Sequence, residues 1–157
     1  MSYFSLARNV ELSIIYFLET SVNSDWNNIH VVKAFNSAYK EELPVIAIYL
    51  ESTDNIRKEI GSTELTREFN ILIDIFATSN AQRIDLAYYI IDKLKDGCVY
   101  YIHSQTSGSP ETLSRVADGR LFVTSYIADE KVGFSEDVDK YDRYRHHQSF
   151  IVKKSGG

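Results

Sequence analysis

Leu6, Val10, Ile14, Phe17 and Leu18 follow one another at steps of four, four, three and one, which sets them on one stripe of a helix. The spacing predicts a helix over Leu6–Leu18, with Ser5 as N-cap because its hydroxyl can accept from an unpaired first-turn amide. Ile15 and Tyr16 widen the apolar face, so cover on more than one side is expected. The run from Val22 to Asn28 is made of turn formers and is expected to end the helix. Ile29–Phe35 is short and rich in β-branched and aromatic residues, which predicts a strand; a helix through Asp25–Tyr39 is the competing reading. Asn36–Glu42 is polar. Pro44–Glu51 is a clearer strand, and its leading proline needs no ladder amide.

Ser52–Gly61 is charged and turn-rich, with Gly61 and Ser62 able to supply a tight backbone. Leu65–Ala77 then alternates. Phe69, Ile71, Ile73, Ile75 and Ala77 share one face, and Asn70, Leu72, Asp74 and Phe76 share the other. A period of two over this length predicts a strand paired antiparallel with Val45–Leu50, and Leu72 and Phe76 ask for cover on its second face. Ser79 and Gln82 have the spacing of a capping box, and Ile84, Ala87, Tyr88, Ile91 and Leu94 keep helical spacing as far as the stop at Gly97. Cys98–Ile102 predicts a strand, Ser104–Ser109 a loop and Pro110–Val116 one or two helical turns; Leu121–Ile127 and Tyr144–Lys153 predict two more strands. Between those two, Asp129–Asp142 holds Asp129, Glu130, Glu136, Asp137, Asp139 and Asp142 against Lys131 and Lys140, and reads as a long mobile loop or hairpin tip. Lys154–Gly157 reads as a frayed tail. The sum is an α+β domain, a mainly antiparallel β-sheet flanked by two principal helices with a long loop or β-hairpin extension.

A chain of 157 residues, 44% hydrophobic and 25% charged, is long enough for one domain with a real core, so residues 1–157 are taken as a single unit. The 17 Lys+Arg against 22 Asp+Glu leave a net charge of -5, which argues against a general nucleic-acid binder. Polar residues interrupt every apolar run before membrane-spanning length, and the start lacks the basic and apolar blocks of a signal peptide. A lone Cys98 cannot form an internal disulfide. These features predict a soluble protein made in a reducing cytoplasm, with no membrane partner.

Candidate chemistry is sparse. Gly61 is isolated, so no phosphate-binding glycine loop is present. Cys98 and His103 are five apart near one short predicted strand, and in a regular strand that separation faces them to opposite sides, which is unsuited to a nucleophile–base pair. His146 and His147 are adjacent and also diverge, so they make poor joint metal ligands, one lying on the outer face and the other towards a neighbour. Asp74 stands inside a strand with no second acid or histidine spaced to help it, and pairing with Arg67 or Arg83, or exposure, is expected. No catalytic residue, cofactor site or metal site is predicted. The aromatic content of 13% is more suggestive: Tyr39, Tyr101, Tyr126, Tyr141 and Tyr144 fall at predicted edges or loops, where tyrosine serves protein interfaces. Tyr141, Arg143, Tyr144 and Arg145 alternate ring and cation beside an acidic loop, which favours a subunit contact.

Five local sequences resemble tail terminator (tail completion) proteins of long-tailed bacteriophages, in the head-to-tail connector or neck group. They are Glu42–Leu50 with its Leu-Pro start, Glu59–Ser62 with Ile-Gly-Ser, Arg67–Ala77, Ser79–Ala87 and Tyr144–Ile151. The likeness spans the chain from first helix to last strand, although Ser104–Val116 and the length of Asp129–Asp142 have no close match. It implies a structural virion protein that catalyses nothing and holds no cofactor. Such subunits assemble in the host cytoplasm into a hexameric ring on the tail tube protein, stop its growth and face the head-completion or connector protein. DNA passes through the ring unread. Glu130, Glu136, Asp137 and Asp139 are the residues expected to reach the lumen or a neighbouring ring, where acidic side chains would let DNA slide. A head-completion or neck protein of the same junction is the alternative reading; a small α+β enzyme or ligand-binding domain, using Asp74, Cys98 or His103, is the alternative from another class.

Overall fold

The structure is a computed structural model that describes residues 2–33, 35–61, 63–106, 112–132 and 140–155. Seven strands form one sheet: β1 (Ser2–Tyr3), β2 (His30–Val32), β3 (Val45–Arg57), β4 (Leu65–Phe76), β5 (Cys98–Thr106), β6 (Thr112–Lys131) and β7 (Arg145–Ser155). Their spatial order is β1-β5-β6-β7-β4-β3-β2, antiparallel throughout except for the pairing of β2 with β3. Helices α1 (Leu6–Asp25) and α3 (Asn80–Leu94) are the two principal ones, and α2 (Phe35–Ala38) and α4 (Lys140–Arg143) are single turns. The α+β class and the antiparallel pairing of β3 with β4 are as the pattern predicts.

The sheet curls, and β6 shows why. Arg120 and Leu121 pair with β7 as β5 pairing ends, and extra residues at Thr124 and Ile127 have no partner on β7. Each such bulge bends the strand and increases its twist. The curl brings the β5 and β3 edges towards one another, and α1 packs against both. Its polar residues then serve those edges. Asn9 Oδ1 accepts from the His103 amide at 3.0 Å and Ser13 Oγ from the Tyr101 amide at 2.9 Å. On the other side Glu11 Oε2 accepts from the Leu50 amide at 2.8 Å. Strand amides that a flat sheet would leave open are thereby paired, which is a condition for burying them.

Val10, Ile14, Leu18 and Val22 of α1, Leu86, Ala87, Ile90 and Leu94 of α3, and Phe69, Ile71, Ile73 and Ile75 of β4 meet in the main core. Ala38, Val45, Ala47 and Phe76 form a smaller cluster on the second face, which accounts for the apolar second face of β4. Both predicted N-caps hold: Ser5 Oγ accepts from the Arg8 amide and Ser79 Oγ from the Gln82 amide. The Gln82 side chain accepts from Thr78. Gly97 ends α3 with a positive φ of 79°, and a Cβ there would lie 2.5 Å from the Leu121 carbonyl oxygen.

Several expectations are corrected. Helix α1 runs to Asp25, beyond Leu18, because Val22 continues the buried stripe and the Tyr89 hydroxyl lies 2.6 Å from Asp25 Oδ2, tying the last turn to α3. The strand expected at Ile29–Phe35 is only His30–Val32, and the helical turn α2 follows within the stretch read as polar. Ser52–Arg57 continues β3 because Leu65–Asn70 pairs with it past an extra residue at Glu51. Ser104–Thr106 and Thr112–Val116 are strand, since Ser104 pairs with Ser114 and Ile102 with Val116, and cross-strand bonding overrides local preference. Asp129–Lys131 completes β6, and Lys140–Arg143 is helical. Lys154 and Ser155 belong to β7, paired with Leu121 and Arg120, and are not a frayed tail.

Candidate functional site

The polar residues picked out from sequence fall on opposite faces of the β4–β7–β6 part of the sheet. Asp74 is 2% exposed and faces away from the main core. Its partners are Arg145 Nη2 at 3.4 Å and His147 Nδ1 at 2.9 Å, which corrects the expected pairing with Arg67 or Arg83. Those two arginines bind Asn55 and Asn80 instead. The reason is register: Asp74 stands opposite His147 and Phe76 opposite Arg145, whereas Arg67 and Arg83 lie on other parts of the fold. Arg145 also lies over the Phe76 ring, 4.9 Å from its centroid, and reaches Asp142 Oδ1 at 3.2 Å; Tyr39 donates its hydroxyl to the same oxygen at 2.8 Å. Thus α4 and the segment after α2 are pinned over the second core.

The other histidine takes the opposite side, as adjacency on a strand requires. His146 Nδ1 lies 2.6 Å from Arg83 Nη1, and its Nε2 lies 2.6 Å from Asp129 Oδ1. A guanidinium can only donate, so Nδ1 accepts and Nε2–H donates to Asp129. Gln148 Nε2 donates to that same carboxylate at 3.0 Å and to the Ala87 carbonyl at 2.9 Å. Asn80 Oδ1 accepts from Arg83 Nε and Nη2. This chain of bonds fastens the first turns of α3 to β7 and β6.

Above that network lies a groove of about 360 Å³, lined by Arg83, Ile84, Ala87, Tyr88, Ile91, Asp129 and His146. Helix α3 therefore carries two apolar stripes. Leu86, Ala87, Ile90 and Leu94 enter the core, whereas Ile84 is 51% and Tyr88 75% exposed. Tyr126 and Ile127 on β6 are also exposed. Among the described residues, no strand pairs with β6 opposite β7 beyond Leu121. Ile84, Tyr88 and Ile91 keep the helical spacing expected of them, and which of two adjacent stripes turns inward depends on the sheet beneath.

Of the residues expected to serve contacts, Glu130 is exposed and opposite His147 in the β6–β7 register. Glu136, Asp137 and Asp139 lie outside the described residues, as does the Tyr141 side chain. Arg143 is exposed, Tyr144 packs on the edge of the main core, and Arg145 is held by Asp74 and Asp142. Asp74, Cys98 and His103 occupy separate surroundings. Cys98 is buried, which pushes its thiol up to about 12. His103 stacks on Phe4, and its Nε2 is buried without a partner among the described residues. Burial, followed by the charges of Arg115 and Arg8, holds the His103 imidazole below its ordinary value. Among the described residues no group of three metal-ligating side chains is present, and no helix is long and apolar enough to cross a membrane.

The groove presents apolar side chains over a bonded polar floor. Comparison with protein-family models and with curated proteins finds no match for this chain.

Proposed function

We propose that this chain is the subunit of a phage tail terminator. Six copies form a ring that caps the tail tube, stops its growth and joins the tail to the head connector, with DNA passing through. Its place is the tail–neck region of the virion. The reading begins from the resemblance of Glu42–Leu50, Arg67–Ala77, Ser79–Ala87 and Tyr144–Ile151 to that family. The observation that carries it further is the set of large apolar side chains kept at the surface on ordered elements: Ile56, Ile60 and Leu65 on the β3–β4 hairpin and Ile84 and Tyr88 on α3. Large apolar side chains kept at the surface are what contacts with protein neighbours would use. Glu130, with Glu136, Asp137 and Asp139, is the acidic set assigned to the lumen or the facing ring.

The test is assembly. Purified protein added to polymerising tail tube protein should arrest growth and appear as a ring at one tube end in electron micrographs. Tubes of unchanged length with no terminal ring would sink the reading, and capture by the portal or its adaptor in place of tube ends would make the chain a head-completion ring. Reversing charge at Glu136, Asp137 and Asp139 together should leave the fold intact and impair assembly or DNA passage.

A further inference from the structure

Where α1 meets the β5 edge, Arg8, Phe4, His103, Tyr101, Tyr16 and Arg115 form an unbroken run of contacts. The Arg8 guanidinium carbon lies 3.6 Å from the Phe4 ring centroid, and Phe4 stacks on His103. Tyr101 meets both His103 and Tyr16 edge-on, and the Arg115 guanidinium carbon lies 4.1 Å from the Tyr16 centroid. A guanidinium thus ends the run on each side. Arg115 also stands directly opposite His103 in the β5–β6 register. Both arginines are exposed, and among the described residues neither meets a carboxylate, although the chain has 22 Asp+Glu for 17 Lys+Arg. A guanidinium laid over a ring keeps its N–H groups available to an acceptor.

The buried member of the run is His103, and its tautomer is fixed. Asn9 Oδ1 accepts from the His103 amide at 3.0 Å, and Asn9 Nδ2 donates to the Phe4 carbonyl at 3.2 Å, so the Asn9 amide cannot be turned round. His103 Nδ1 lies 3.1 Å from the same Oδ1 and must carry the proton. Nε2 is left with a lone pair, fully buried and without a partner among the described residues, a state that asks for a ligand or an explanation. The groups around the ring are the neutral Asn9, Phe4 and Tyr101 and the cations Arg115 and Arg8, whose charges both act on it. An anion would offset those charges and accept from an Nε2–H. One arginine fork fills a carboxylate, whereas two forks and an imidazolium suit the several oxygens of a tetrahedral anion. We propose that Arg8, Arg115 and His103 bind an oxyanion of the phosphate class, and that His103 takes up one proton from solvent as it binds. The site does not depend on the ring reading above.

The test is an NMR titration of the full chain with sodium sulfate, which keeps its charge from mildly alkaline to mildly acid pH, at constant ionic strength. Signals of the His103 ring and of the Arg8 and Arg115 side chains should shift together and saturate. Affinity should rise as pH falls, by up to about tenfold per pH unit for one proton taken up. Arg115→Gln, at an exposed position, should melt as the wild type does and bind more weakly. His103→Asn should keep weaker binding and lose its pH dependence. Inorganic phosphate should displace the sulfate. A short DNA duplex that also displaces it would trace the phosphate to nucleic acid, and one that fails where phosphate succeeds would trace it to the free ion. No saturable shift at any pH, binding indifferent to pH, or binding undiminished in Arg115→Gln would overturn the proposal.

Discussion

Helices α1 and α3 lie over one core and bury stripes of similar character, yet their remaining faces do opposite things. The polar side chains of α1, Asn9, Glu11 and Ser13, are consumed inside the fold, where they pair amides of β5 and β3 across the mouth of the curled sheet. The second face of α3 is apolar and left outside, with Ile84 and Tyr88 standing over a polar network that fixes the helix in place. A polar residue can thus be the structural part of a helix and an apolar residue the part left at the surface. Helix α1 closes the domain, whereas α3 presents a surface.

That contrast can be broken most forcefully at α1. Ile14→Asp places an unpaired charge in the main core and should abolish the native state, seen as loss of the cooperative melt; a soluble variant with native circular dichroism would show that α1 does not close the sheet. Next comes the second face of the sheet. Arg145→Ala leaves the Asp74 carboxylate with His147 alone, and urea melts should show a loss of about 3 kcal/mol, the low end for a broken buried pair because one donor remains. Glu11→Ala removes the acceptor for the Leu50 amide at the closed edge and should cost about 1–3 kcal/mol, with faster hydrogen exchange at that amide as the local signature.

His103 adds a pH dependence to the α1 side. Its folded-state value lies below the 6.5 of the free group, so the unfolded chain binds the proton more readily. Stability from this residue is full above 6.5 and is lost as pH falls from there towards the lower folded-state value, and His103→Asn should flatten the slope of urea midpoints between neutral and mildly acid pH. The smallest expected change sharpens the comparison from the other side. Tyr88→Asp should alter stability by no more than about 0.5 kcal/mol, since it touches no core contact, and a larger loss would mean that the outer stripe of α3 belongs to the domain itself.

Much of the architecture could be read along the chain where pattern was long and regular. The alternation through Phe69–Ala77, the cap at Ser79 and the stop at Gly97 each report a local preference that the fold keeps. Short and mixed segments were not legible for a physical reason. Thr112–Val116 and Ser52–Arg57 have weak preferences of their own and become strand because partners at Ile102–Thr106 and Leu65–Asn70 bond to them. The polar sites followed the same rule. Adjacency placed His146 and His147 on opposite faces, but nothing in the spacing linked Asp74 to Arg145, or Arg83 to His146, because those residues are brought together only by the β4–β7 register and the seating of α3.

The sequence by itself determined that there would be two amphipathic helices over a mainly antiparallel sheet, since periodicity of apolar residues follows from backbone geometry alone. Only the tertiary structure decided which stripe of α3 was core, that α1's polar residues would seal strand edges, and that the charged Ser52–Arg57 segment would become the outer part of a long strand. Those outcomes depend on where the curl of the sheet brings distant segments together, and bulges at Glu51, Thr124 and Ile127 set that curl through pairings that no local pattern records.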